Sequence, residues 1–483
     1  MKLTHMHLVT EPALGGRSRF QRTLWALLTL FVAMALAACG GGGGDGGGQG
    51  GEGAQPAPQS ASRVKPLAVG VAAVQGPGLG NLSYSQNELF TPVAWIRRDA
   101  QGVPAAYPGR KAFGLNAGIM HNGYFLTLFA PDSGQGPGGF LLYDVSNPRA
   151  MQLVKRIYEP EGRTAEFREA HAIGTSTIGG KDYVVVPTTK GIEFWDFTDI
   201  NDIQQVKKLV LPTVNAGDYA NVSWQLWWQA PYVYVASANH GVYIVDASDP
   251  ANAVLANRGA GKPNPVPTGE LGNFRVGPIF TMGNHMVLSS MDNTDGFASL
   301  DISDPLNPKV LDTVASHPMY YATCYDGRTL YSSVRGGGAK MTAYSLADRS
   351  RFVPEDNRLV IDEQLYCATQ DHYVFQGAQF RIHKVDVSNP MQHVEVGRGG
   401  MFPPGSSEES HSDHGQVAPF GNLVFIGNDH GSGSAFMVHS TAPDTTAPVV
   451  RQVSPANGAL QQALTSRIGL GLSRSLLSES VNA

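Results

Sequence analysis

The sequence predicts an all-β fold, a seven-bladed β-propeller of four-stranded blades, and three observations carry that prediction. One ten-residue frame recurs seven times. Its spacings match the length of a four-stranded blade. The segments between copies read as short β-prone runs bounded by turn residues, with no helical periodicity.

The clearest copy is Gly241-Val-Tyr-Ile-Val-Asp246-Ala-Ser-Asp249-Pro250. The frame returns as GFLLYDVSNP from 139, GIEFWDFTDI from 191, GFASLDISDP from 296 and RIHKVDVSNP from 381. Two copies are eroded: MTAYSLAD from 341 has Ser345 at the Asp position, and SAFMVHSTAP from 434 has His439 there. The anchors at 144, 196, 246, 301, 345, 386 and 439 stand 52, 50, 55, 44, 41 and 53 residues apart. Between them lie β-prone runs such as Tyr183–Val186, Tyr232–Val235 and Leu423–Ile426. Such runs suit sheets that pack on both faces. The frame resembles the LVIVD repeat of bacterial secreted and surface proteins, and the resemblance spans residues ~110 to 445. It implies propeller architecture more than any activity.

The anchor turn is read as structural. Asp, Ser and Asn cap nearby backbone N–H groups, and Pro starts the outer strand where no donor is needed. The eroded seventh copy leaves the ring to be closed. Residues 90–96, Phe-Thr-Pro-Val-Ala-Trp-Ile, either supply the missing outer strand or pack separately. An unclosed ring would leave an open sheet edge.

The ends of the chain read differently. Arg17, Arg19 and Arg22 precede an uncharged run from Thr23 to Ala38, the pattern of an export signal. The run is short for a spanning helix, which needs ~20 residues. It ends in Leu36-Ala37-Ala38-Cys39, which resembles a bacterial lipobox. The resemblance implies a signal peptide over 1–38, lipid on Cys39, and attachment to the membrane through that lipid. Gly40, rather than Asp, after the cysteine favours the outer membrane. Residues 39–62, rich in Gly and Pro, form a tether that holds the body roughly 25–30 Å from the lipid. The propeller is assigned to 63–445. Residues 446–483 resemble the opening of a bacterial Ig-like module but lack its further strands, so ~455–483 are expected to be loosely ordered.

Composition excludes several functions. The 483 residues carry 57 Gly and 31 Pro, 42% hydrophobic and 16% charged residues. That gives a core with many turns. Net charge is −5, and about −8 once residues 1–38 and their net +3 are removed. No Lys/Arg run is present to follow a phosphate backbone, so nucleic acid is set aside. There is no Gly-x-Ser-x-Gly elbow and no phosphate-binding loop. Cys324 and Cys367 fall on neighbouring inner strands, one residue out of register; a disulfide and two buried thiols both remain open.

Candidate site residues come from the loops that meet on one rim of a propeller. These are the loops entering each inner strand and those joining second to third strands. They place His171, Trp224, Tyr320, Gln364 and His414 at inner-strand starts, and His240, Arg335, Asp429 and His430 in second-to-third loops. Trp224, Trp227 and Trp228 are read chiefly as blade packing, with stacking on a ligand as the alternative. The densest cluster is Glu408 to His414 with Asp429-His430 beyond it. A divalent metal on His171, His414, Asp413 and Asp429 would serve a hydrolase or lyase, although the spacing matches no zinc pattern. No cofactor is predicted. The favoured reading is a monomeric binding module whose rim engages a protein or a glycan.

Overall fold

The computed structural model describes residues 80–97, 113–114, 117–131, 138–158, 171–215, 221–291, 296–315, 323–333, 340–356, 358–361, 366–378, 381–400, 414–428, 433–460, 462 and 466–474. They form seven antiparallel sheets in a ring, each with an inner, second, third and outer strand.

Blade 1 has an inner strand in two pieces, Phe113–Gly114 and Gly118–His121, both paired to Tyr124–Pro131. Gly139–Asp144 and Gln152–Tyr158 complete it. Blade 2 runs Gly174–Ile178, Lys181–Thr188, Gly191–Asp196 and Gln204–Val210. Blade 3 follows with Gln225–Gln229, Tyr232–Ser237, Gly241–Asp246 and the short Val254–Leu255. Blade 4 contains Val276–Met282, His285–Ser290, Phe297–Asp301 and Lys309–Val314. Blade 5 contains Thr323–Tyr325, Thr329–Ser333, Met341–Ser345 and Val353–Pro354, and blade 6 contains Tyr366–Gln370, Tyr373–Ala378, Arg381–Asp386 and Val394–Gly400. Blade 7 has His414–Phe420, Leu423–Asn428 and Gly433–Val438.

Pro92–Arg97 pairs with Gly433–Val438 and is the outer strand of blade 7, so the N-terminal segment closes the ring. Just before it, Phe90 sits in a notch on blade 6. A Cβ on Gly397 would meet the Phe90 ring at 1.9 Å, so only glycine admits that contact. Closure is also made at the inner strands, where Gln416 of blade 7 accepts the buried Gly118 N–H of blade 1 at 2.7 Å. Gln225 of blade 3 does the same for Ile279 of blade 4 at 2.8 Å. Both glutamines satisfy a donor that would otherwise be buried at a cost of about 1–3 kcal/mol.

The anchors do what short capping side chains do. Asp144, Asp196, Asp246, Asp301 and Asp386 each end a third strand and accept the N–H two residues on, at 2.8–3.0 Å. Residues on the second and third strands are buried on both faces, as in Gly241–Asp246, whereas outer strands are largely exposed. Apolar clusters fill the gaps between blades. One spans blades 1 to 3, others join 3 to 4, 4 to 5, 5 to 6, and 7 to 1. Within the cluster of blades 5 and 6, Cys324 and Cys367 are joined in a disulfide with Cα atoms 5.6 Å apart. Adjacent inner strands meet closely enough for that bridge despite the offset.

Where residues ~455–483 are expected to be loosely ordered, the structure differs for residues 466–474. Val450–Ser454 pairs with Gly469–Leu472, and this hairpin lies against the turns of several blades. Arg451 reaches Asp326 of blade 5, Arg467 donates to the carbonyl of Ile302 in blade 4, and Arg474 is held by both Asp371 and Asp444. Arg349 of blade 5 donates to Ser454 at 2.6 Å. No local periodicity signals these contacts, because each is made between distant parts of the chain. Residues 475–483, like 1–79, lie outside the described residues.

Candidate functional site

The ring has two distinct faces. Turns joining inner to second strands, and third to outer strands, form the lower face; all other connections form the upper rim. The C-terminal hairpin covers part of the lower face, touching the inner turns at Gly283 and Gly327. The upper rim therefore holds the candidate site.

Of the rim residues singled out from sequence, the described side chains are His171, Trp224 and His240. The structure divides them. His171 and Trp224 come together at the starts of blades 2 and 3, ring centroids 4.8 Å apart, and both are fully buried. Trp224 belongs to an apolar cluster that links Val222, Ala238 and Met291 of blades 3 and 4 with Tyr366 and Val417 of blades 6 and 7. Large side chains thus pack beneath the rim, and neither ring offers surface to a docked partner. Trp228 is buried between blades 2 and 3, and Trp227 is partly buried.

His240 lies in a separate, accessible ledge over blade 3. Its ring nitrogens stand 3.2 and 3.4 Å from the Thr213 hydroxyl, which itself donates to Pro212 O at 2.6 Å. Tyr243 also donates to the Pro212 carbonyl. Burial pushes the Tyr243 phenol up, with the Thr213 hydrogen bond opposing, so it stays a donor at neutral pH. Beside them Arg275 Nε donates to Asn239 Oδ1 at 2.9 Å. Asn239 is exposed, and His240 and Arg275 are half-exposed.

The backbone under this ledge is strained. Thr213, Ala238 and Asn273 have φ of 65°, 42° and 65°, and all three belong to upper loops flanking blade 3. Asparagine tolerates that region, but a β-branched threonine there is a genuine outlier. Each strained residue costs about 1–3 kcal/mol and persists where its surroundings hold it, commonly at binding sites. Ala238 is held by two hydrogen bonds with Val276 across blades 3 and 4, at 3.0 and 3.1 Å. Sequence reading found His240 by its loop but not Thr213, Tyr243 or Arg275, because backbone strain leaves no mark in composition.

Tyr320, Arg335, Gln364, Asp413, Asp429 and His430 lie outside the described residues, as does Cys39. His414 opens the inner strand of blade 7 opposite Asn428, at the upper end, with only its backbone described. The proposed metal set is therefore represented by the His171 side chain alone. Among the described residues no three His, Cys, Asp or Glu groups converge on one metal position.

A second polar cluster, unforeseen from sequence, lies on the lower face at the eroded seventh anchor. There the Lys384 ammonium sits 3.9 Å from the Tyr373 ring centre and donates to His439 O at 3.2 Å. Burial pushes Lys384 down to about 8, against the raising influence of Asp371, Asp386 and Asp444. Lys384 and His439 are buried, and the cluster has the character of an internal tie.

Residues 217–258 match the LVIVD repeat. That stretch contains Asn239, His240 and Tyr243 of the ledge and the best copy of the frame. Among solved structures, the chain is similar to Raptor of Chaetomium thermophilum at 12% identity and TM-score 0.48, covering 74% of this chain and 30% of that one. It is similar to the Cps50 β-propeller domain of Myceliophthora thermophila at 11% identity and TM-score 0.46, covering 68% and 98%. A hypothetical selenium-binding protein from Sulfolobus tokodaii follows at 8% identity and TM-score 0.45, covering 64% and 91%. Similarity at this level carries no function across. No curated protein matches the chain.

Proposed function

We propose that this protein is a lipid-anchored propeller of the bacterial outer membrane that binds a protein or glycan partner through its upper rim. The observation that carries the reading is the asymmetry of the two faces. The chain's own C-terminal hairpin covers part of the lower one, while the upper one presents Asn239, His240 and Arg275 on loops held in strained conformations. Amide, imidazole and guanidinium side by side suit the hydroxyls of a sugar or the polar groups of a peptide. Among the described residues no helix is long and apolar enough to cross a membrane. Attachment is assigned to lipid on Cys39, with residues 1–38 as its signal.

The test is capture from an envelope extract by the full chain and by an Asn239→Ala, His240→Ala, Arg275→Ala variant. The parent is expected to retain a partner that the variant loses at least tenfold, with unchanged melting temperature. Protease treatment of the extract abolishes capture of a protein, and glycosidase treatment that of a glycan. Equal capture by parent and variant would refute the assignment.

A further inference from the structure

The hairpin on the lower face turns its charged side chains inward and its aliphatic ones outward. Arg451, Arg467 and Arg474 are all engaged by the ring, through Asp326, Ile302 O and the pair Asp371 and Asp444. Gly469 presses against blade 4 so closely that a Cβ there would meet Gly283 N at 2.3 Å. Outward stand Val449, Val450, Leu460, Ile468 and Leu470, between 53% and 83% exposed. From Thr445 to Ser478 the sequence contains no Asp or Glu. Exposed aliphatic residues gathered on one face mark an interaction surface.

The N-terminal segment enters on this same face. Asn81 and Asp444 exchange two hydrogen bonds, at 2.6 and 2.8 Å, five residues before Val449. Gly80 lies against the lower turn of blade 1, where a Cβ would strike Val145 O. Pro92–Arg97 then runs upward, away from the lower face. Forty residues separate Cys39 from Gly80.

Resting on the assignment of lipid to Cys39, we propose that the outer face of this hairpin lies on the lipid bilayer, so that the upper rim points away from the membrane. A bilayer is favoured over a protein because the anchored chain keeps this face near lipid, which raises its effective concentration there. The face also suits the purpose chemically. Its arginines are spent on the ring, so among the described residues uncharged side chains, with Val450, Leu460, Ile468 and Leu470 foremost, meet the interface, and their attraction needs no anionic headgroup.

The test uses the full, lipid-modified chain in vesicles of phosphatidylethanolamine and phosphatidylglycerol. With Cys39 acylated and Cys324 bonded to Cys367, Leu470→Cys or, on the opposite rim, Asn239→Cys carries the single free thiol for an environment-sensitive fluorophore. The label at 470 is expected to shift blue and to be quenched severalfold by brominated acyl chains, while the label at 239 reads as in water. Adding Leu460→Asp and Ile468→Asp, both exposed positions, removes the blue shift at 470 without preventing flotation. Protein that floats with vesicles while its label at 470 reads as in water overturns the docking and leaves the anchor standing. Failure of the parent to float removes anchor and docking together. A blue shift without lipid, growing with protein concentration, assigns the face to a second copy of the chain and also overturns the proposal.

Discussion

Buried histidines give the molecule a defined response to acid. His285 lies among Ser299, whose hydroxyl is 2.8 Å from Nε2, and Tyr325. Burial, reinforced by the charge of Arg349, pushes it down to about 3. His439 is pushed to about 3 by burial and then by Lys384. Burial also lowers His393. In each case the unfolded chain takes up a proton that the fold refuses. Stability is therefore fully present above the ordinary histidine value of 6.5 and declines as pH falls from there toward 3. His439→Gln is expected to flatten that acid limb, since one fewer proton is taken up on unfolding. Urea titrations at pH 4 and pH 7 check this. An unchanged difference between the two pH values would show that His439 titrates freely in the fold.

Among the elements, two ties between distant segments hold the ring, one covalent and one built from strand pairing. The Cys324–Cys367 bridge spans 43 residues and joins the inner strands of blades 5 and 6. On a chain-entropy basis such a loop contributes up to about 4 kcal/mol. Reduction is expected to lower the melting temperature and the urea midpoint while leaving the strand content intact. A midpoint unmoved by reductant would contradict that role. The blades themselves were legible in sequence because the five Asp anchors have the same local task. Asp246 and its counterparts cap a turn that needs an oxygen acceptor two residues before a free N–H, so the frame repeats. The hairpin of residues 450–472 was not legible. Gly469 and Arg474 meet Gly283 and Asp371, each more than about one hundred residues away in the chain and outside the repeat. Closure by Pro92–Arg97 was half legible, since the eroded seventh blade offered an edge for its apolar run while separate packing of that run was the alternative.

Seen whole, the molecule is a closed ring with opposite duties for its two faces. The first and last described segments meet below, tied by Asn81 to Asp444 and by Arg474 to Asp371, and the strained ledge of blade 3 opens above. The rim itself was partly legible: loop position alone brought out His240, and it also brought out His171 and Trp224, which prove to be buried together. Position along a repeat tells which loop a residue occupies, whereas burial depends on neighbouring blades. The division of faces is tested most directly by photo-crosslinking in the intact envelope, with a photoreactive residue at Asn239 in one strain and at Leu470 in another. The account predicts an adduct to a protein or glycan from position 239 and an adduct to lipid from position 470. A lipid adduct at 239, or a macromolecular partner captured at 470 with none at 239, would contradict it.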